Sequence, residues 1–387
     1  MRAALLLPAW LGFLVAVLLP STTWAVECCL GSEPRERWTE AQATDWHRRH
    51  DWLVGCNYGP AYAINQLEMW QADTFDASVI DRELGWAESL GFNSLRVFLH
   101  DLAWSQDRTG FLARMDRFLR IADKHHIGVV FVLFDGCWDP HPKAGRQREP
   151  KAHVHNSGWV QSPGAEILGT PERHDELKAY VLSVIGRFHE DRRVHGWDLF
   201  NEPDNPNTTA YGSVELKNKA DVALQLLKKT FIWAREAKPS QPLTSGVWMG
   251  NWGDPEKLSA MERLQLGESD VVSFHSYGKL DDLKKCVANL RRYRRPILCT
   301  EYMARPAGST FEPNLGWMRE QGVAAYNWGF VAGKTQTNYP WDSWEKHYTA
   351  PPPVWFHEIF RSDGHPYIRD EVRYIRRITG APQDPVK

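Results

Sequence analysis

Short runs that are apolar almost throughout alternate with amphipathic stretches along most of this chain. The runs lie at 52–58 (WLVGCNY), 94–100 (SLRVFLH), 127–135 (IGVVFVLFD) and 194–201 (VHGWDLFN). The second half continues them at 243–249 (LTSGVWM), 270–277 (DVVSFHSY), 296–302 (PILCTEY) and 322–330 (GVAAYNWGF). Strands without polar alternation are strands covered on both faces, as in a parallel sheet. Between them the apolar positions recur at helical spacing. In 77–91, Ile80, Leu84, Ala87 and Leu90 share one face and Gly91 stops the helix. The stretches 110–126, 174–190 and 281–293 repeat the theme. Eight such units predict a closed (β/α)8 TIM barrel, a fold of about 250 residues plus insertions. A doubly wound open sheet is the alternative, but no GxGxxG follows an early strand. Neither a linker nor a solenoid repeat divides the chain, so one domain over 26–387 is predicted.

The surplus length follows strands. Residues 136–173 come after the third strand without sustained periodicity and carry Trp138, His141, His153, His155 and Trp159. Residues 331–352 come after the eighth and carry Lys334, Gln336, Tyr339, Trp341 and Trp344. Loops after strands build the C-terminal face of such a barrel, where its chemistry takes place.

Polar residues cluster at the same strand ends. The second strand carries Arg96, the fourth ends in Asn201 and Glu202, and the sixth carries His275 and Tyr277. The seventh ends at Glu301 and the eighth carries Trp328. A single glutamate at a strand end is usually a cap or an ion-pair partner. Two, on strands four and seven of eight, face each other across the mouth, and glycoside hydrolysis needs two facing carboxyls. His275 and Tyr277, two apart on a strand, point the same way. A hydroxyl from Tyr277 and the charge of Arg96 are expected to keep Glu301 ionised, while burial and the nearby Glu301 raise the pKa of Glu202. Asn201 is placed to hydrogen-bond a sugar 2-hydroxyl. Pro203 ends strand pairing and turns the chain into a loop.

NEP at the end of strand four, HSY on strand six, TEY on strand seven and the strand-eight Trp resemble clan A glycoside hydrolases, most nearly family 5, the cellulase and mannanase family. The resemblance spans the mature chain in strand order. It implies a retaining hydrolase of β-glycosidic bonds in a glucan, mannan or xylan, with Glu202 as acid/base and Glu301 as nucleophile. It further implies a sugar subsite of Arg96, Asn201, His275, Tyr277 and Trp328, and RVFLHDLAW fits the family's second strand, with Trp104 following Arg96. Trp138 and Trp341 are further candidates for aromatic contact with the sugar. The family's usual third-strand histidine is missing from FDGCWDPHP, leaving Asp135 or His141 as substitutes. An exo-acting β-galactosidase or β-mannosidase, a transglycosidase and a non-catalytic carbohydrate-binding barrel are the alternatives.

Composition adds a prior and removes rivals. The 387 residues include 19 Trp, an excess that suits stacking against pyranose rings, and carry a formal charge of −2, with no basic surplus for nucleic acid. No metal-ligand spacing appears, and neither cofactor nor metal is expected. Arg2, the apolar 11–19 and Thr23–Ala25 read as a signal peptide over 1–25. A secreted or periplasmic monomer, free of the membrane after cleavage, is the expectation. Of six cysteines, Cys56 and Cys299 lie in apolar runs and are expected as buried thiols; one bridge among Cys28, Cys29, Cys137 and Cys286 is left open.

Overall fold

Each of the eight apolar runs forms a parallel strand in the computed structural model, which describes Met1, residues 33–250 and residues 252–383. They are β1 (Val54–Asn57), β2 (Ser94–Phe98), β3 (Gly128–Asp135), β4 (Val194–Asn201), β5 (Leu243–Thr244), β6 (Val272–Ser276), β7 (Ile297–Tyr302) and β8 (Ala324–Asn327). The sheet order is β5-β4-β3-β2-β1-β8-β7-β6. The ring closes just past β5, where Val247 N donates to Ser273 O and His275 N donates to Val247 O, both at 3.1 Å. The (β/α)8 barrel read from the periodicity is thus the fold. The signal segment 1–25 beyond Met1, with Cys28 and Cys29, lies outside the described residues, and Pro34–Lys387 form one compact unit.

The expected strand at 243–249 shortens to two residues for a specific reason. Ser245 N donates to Ser269 Oγ at 3.2 Å, and Gly246 O accepts from Gln265 Nε2 at 2.7 Å. Side chains from the helix Ala260–Glu268 and its C-cap have taken the ladder's hydrogen bonds.

The helices follow their apolar stripes. Ala77–Ser89 starts on Asp76, whose carboxylate accepts from Ser78 N and Val79 N, and buries Ile80, Leu84 and Ala87. Gly91 then takes φ +72°, a conformation that favours glycine. Arg108–Lys124 buries Phe111, Met115, Phe118 and Leu119 against the barrel, each such side chain contributing about 1.5–3 kcal/mol. Among the described residues no helix is long and apolar enough to cross a membrane. Cys56, Cys137, Cys286 and Cys299 are free thiols, the first and last fully buried.

The long loops after β3 and β8 are locked to each other. Asn156 N donates to Thr335 O and His153 N to Gln336 Oε1, both at 2.7 Å. Trp344 Nε1 donates to His155 O at 2.8 Å, and the Trp138 and Trp344 rings stack with centroids 5.8 Å apart. The segment after β1 joins them: Asn65 Nδ2 donates to Gly158 O at 2.9 Å, and Lys334 N to Ala61 O at 3.0 Å. Because β2 and β1 separate β3 from β8 in the ring, these loops make one wall above that side of the mouth.

Candidate active site

The second strand brings a cation into the barrel, and the site is built on it. Arg96 is fully buried. Its Nε and Nη2 donate to Asp198 Oδ2 at 3.1 and 2.8 Å. Nη1 donates to Asn57 Oδ1 at 2.8 Å and to Glu301 Oε1 at 2.9 Å, and Nη2 to Asn201 Oδ1 at 2.7 Å. A buried charge is tolerated only when its hydrogen-bonding capacity is spent in this way. Two carboxylates beside it raise its pKa against the opposing effect of burial, so it remains charged.

Glu301 Oε2 accepts from Tyr277 OH at 2.7 Å. Glu202, immediately past β4, has a different set of partners. Asn205 Nδ2 donates to its Oε2 at 2.6 Å, and the Cys137 thiol donates to the same oxygen at 3.2 Å. Its Oε1 lies 2.7 Å from His275 Nδ1, which is 3.5 Å from Glu301 Oε2. Ligand atoms of Glu202, His275 and Glu301 all fall within 4.8 Å of one another, so the two carboxyls meet although their strands are three apart in the ring. Among the described residues this is the one set placed closely enough to hold a cation. Both Glu301 oxygens are already held by Arg96 and Tyr277, an arrangement suited to a pair of carboxyls working together.

Burial raises the pKa of Glu202 and that of Glu301. For Glu301 this corrects the expectation that its partners hold it low. His275 and Arg96 offset the burial there, and the Tyr277 hydroxyl adds to them. At Glu202 the hydrogen bonds from Asn205 and Cys137 and the charge of Arg96 offset the burial, and Asp204 adds to it. Burial drives His275 down to about 4, so its ring is neutral near pH 7, and drives the Cys137 thiol well up, so it stays a proton donor.

Backbone strain gathers at this end of the barrel. Glu202 has φ +39°, Trp138 +69°, Asn156 +50°, Asn207 +47° and Met303 +80°. Such conformations cost about 1–3 kcal/mol each and persist where the surroundings fix them. At Glu202, Pro203 bars the ordinary helical continuation, and Asn205 N donates back to Glu202 O at 3.1 Å. Gly136 passes so near that a Cβ there would lie 2.2 Å from Glu202 O. Only glycine admits that approach.

A cavity of about 370 Å³ opens over the carboxyls. Glu202, Glu301, Asn201, Tyr277, Trp328, Trp138 and Trp341 all line it, which gathers nearly every residue singled out from sequence. His275 lies beneath, between the carboxyls. Asn201 Nδ2 donates to Asp135 Oδ1 at 2.9 Å and to Cys137 Sγ at 3.5 Å, so a ligand hydroxyl would have to compete with the weak sulfur acceptor for the second hydrogen. Neither proposed substitute for the third-strand histidine reaches the cavity. His141 is exposed on the loop, and Asp135 is buried behind Asn201, with its pKa raised to about 6 by burial. Trp104 is a packing residue whose Nε1 donates to Ser183 Oγ at 3.2 Å.

Several contributors carried no pattern in the sequence. Cys137, Asn205, Trp248 and Asn156 come from loops, and Asp198 and Asn57 are interior strand residues whose partner is Arg96. The available signal was position: Cys137 sits two residues past a strand end, and Asp198 is a charge inside an apolar run.

No family model matches the sequence, and neither does any curated protein. Solved structures do resemble it. A β-mannanase from the blue mussel Mytilus edulis is 18% identical with a TM-score of 0.52, over 79% of this chain and 94% of that one. The endo-1,4-β-mannanase of Rhizomucor miehei is 15% identical with a TM-score of 0.53, over 83% and 94%. An exo-β-1,4-mannosidase from Opitutaceae bacterium strain TAV5 is 18% identical with a TM-score of 0.56, over 85% of this chain and 59% of that one. At these identities the likeness establishes a shared (β/α)8 barrel.

Proposed function

We propose that the protein is a retaining glycoside hydrolase acting on β-linked sugars, with Glu301 as nucleophile and Glu202 as acid/base. The observation that carries this reading is the pair of buried carboxyls, an oxygen of one within 4.8 Å of an oxygen of the other, and differently partnered. Retaining enzymes hold their carboxyls about 5–5.5 Å apart, whereas inverting ones leave about 6.5–9.5 Å for a water molecule. The short separation supports double displacement.

The partners support the roles. Glu301, ionised between Arg96 and Tyr277, attacks the anomeric carbon as the bond to the leaving oxygen breaks. Glu202, protonated at the start of the cycle, gives its proton to that oxygen. It then takes a proton from water as the water attacks the same carbon and releases Glu301. Trp328 lies beside both carboxyls as a platform for the sugar ring, and Trp138 and Trp341 extend the aromatic lining. Mannanases and a mannosidase among the similar structures make β-mannosides the first substrates to try.

The test is hydrolysis of 4-nitrophenyl β-D-mannoside, glucoside, galactoside and xyloside, with the released anomer followed by proton NMR. The β-hemiacetal should appear first from the best substrate, and Glu301→Gln should abolish its release. An α-hemiacetal would overturn retention. Binding without turnover would make the barrel a carbohydrate-binding protein.

A further inference from the structure

We infer that this active site works on chain ends, and that Asn156 reads the two adjacent hydroxyls of the terminal sugar farthest from the bond being cut. The inference rests on the glycoside hydrolase reading and adds the mode of action and a specificity residue.

Asn156 is 1% exposed, yet neither Oδ1 nor Nδ2 of its side chain has a hydrogen-bond partner in the protein. A buried carboxamide with both ends unsatisfied costs about 1–3 kcal/mol per group. Its backbone is fixed: N donates to Thr335 O at 2.7 Å, O accepts from Trp159 N at 3.2 Å, and φ is +50°. The backbone beneath the side chain is thus fixed, and the carboxamide offers a donor and an acceptor side by side. It lines the cavity that contains Glu202, Glu301 and Trp328, and also a smaller one of about 30 Å³ that shares Trp328. A carboxamide of this kind matches a vicinal diol, its oxygen accepting from one hydroxyl and its nitrogen donating to the next.

The wall fixes which diol. The leaving group departs on the Glu202 side, where Met249, which lines the cavity, is 65% exposed. Asn156 belongs to the wall made by the joined loops after β1, β3 and β8, further along the β3 loop than the Cys137 that touches Glu202. On this inference, a ring lying on Trp328 with its anomeric carbon at Glu301 turns its 3- and 4-hydroxyls toward Asn156, which lines the same cavity. An internal residue of a β-1,4 chain has no 4-hydroxyl proton to give, and its chain would have to continue through the wall. The cavity volume also lies near the lower end of the range for ligand sites, about 300–1000 Å³.

The test uses the full chain with β-1,4-mannohexaose, glucohexaose and xylohexaose labelled at the reducing end, each also methylated at the terminal 4-oxygen. The expected result is stepwise loss of single sugars from the best hexaose and a slowing of at least about 100-fold on its methylated form. With aryl glycosides, Asn156→Ala should reduce kcat/KM on the order of 10–100-fold. That deficit should shrink to within about threefold on the 4-deoxy glycoside. Internal cleavage, or equal rates on free and methylated ends, overturns the inference while leaving hydrolysis established; these readings use only the unaltered protein. Failure to hydrolyse any of these substrates overturns the underlying reading, and the inference falls with it.

Discussion

Replacing Tyr277 by Phe removes one oxygen and leaves the ring packed against Trp341 and His357, at centroid distances of 5.3 and 5.8 Å. What is lost is the hydrogen bond to Glu301 Oε2 at 2.7 Å, from a half-buried hydroxyl to a buried carboxylate. A bond to an ionised acceptor contributes about 1.5–3 kcal/mol. All of it favours the ionised form of Glu301, because Tyr277 donates to a charge. At about 1.4 kcal/mol per pKa unit, Glu301 should rise by about 1–2 units. If ionised Glu301 is the nucleophile, the acid limb of kcat/KM should move up by that amount. The loss, about 10–100-fold below the limb, should narrow as pH climbs past the new value. The assay is a pH series on the most reactive aryl β-glycoside for both proteins, since kcat/KM reports ionisations of the free enzyme. An acid limb that stays in place while the plateau falls would refute this reasoning and make Tyr277 a substrate contact.

Azide should tell the two glutamates apart. Added to Glu202→Ala it should yield a β-glycosyl azide, by attack on the covalent intermediate, and added to Glu301→Gly an α-glycosyl azide; the reverse pattern would exchange the roles. Trp328→Ala should fold, as shown by an unchanged circular dichroism spectrum, yet lose on the order of 100-fold in kcat/KM, because the platform orients the ring for attack. Near-normal activity would return Trp328 to a packing role against Phe98 and Trp159. Glu83→Gln should change how stability depends on pH. Burial raises Glu83 from 4.5 to about 7, so folding favours its protonated form, and that advantage is present below pH 4.5 and lost as pH rises to 7. Urea titrations should show the variant gaining up to about 3 kcal/mol on wild type at pH 8 and little at pH 5; parallel pH curves would refute it.

The barrel was legible because eight buried strands leave eight apolar runs, and Glu202 and Glu301 were legible because strand ends in such a fold point at one place. The geometry between them was not. Arg96 joins Asp198, Asn57, Asn201 and Glu301, contacts that separate by up to 205 residues in sequence and leave no periodic trace. The substitute for a third-strand histidine was sought among residues able to ionise, whereas the residue beside Glu202 is the thiol of Cys137. Loop contributors such as Asn156 depend on how two long insertions cross, and the local sequence does not encode that. The short β5 had its own cause: Gln265 and Ser269 compete for backbone groups that periodicity assigned to a strand.

That short strand gives the barrel a seam. Elsewhere neighbouring strands share ladders of several residues, but around β5 the ring depends on two residues paired with β4 and a single bridge at Val247 to β6. Local opening is cheapest where the fewest backbone bonds must break together, so amides around Val247 should exchange with solvent before those of β2 or β3. The seam runs between Glu202, just past β4, and His275, on β6. On the proposed mechanism the weakest part of the scaffold therefore borders the side from which the leaving group exits, and breathing there would let product escape while β1, β2 and β3 keep the rest of the site still.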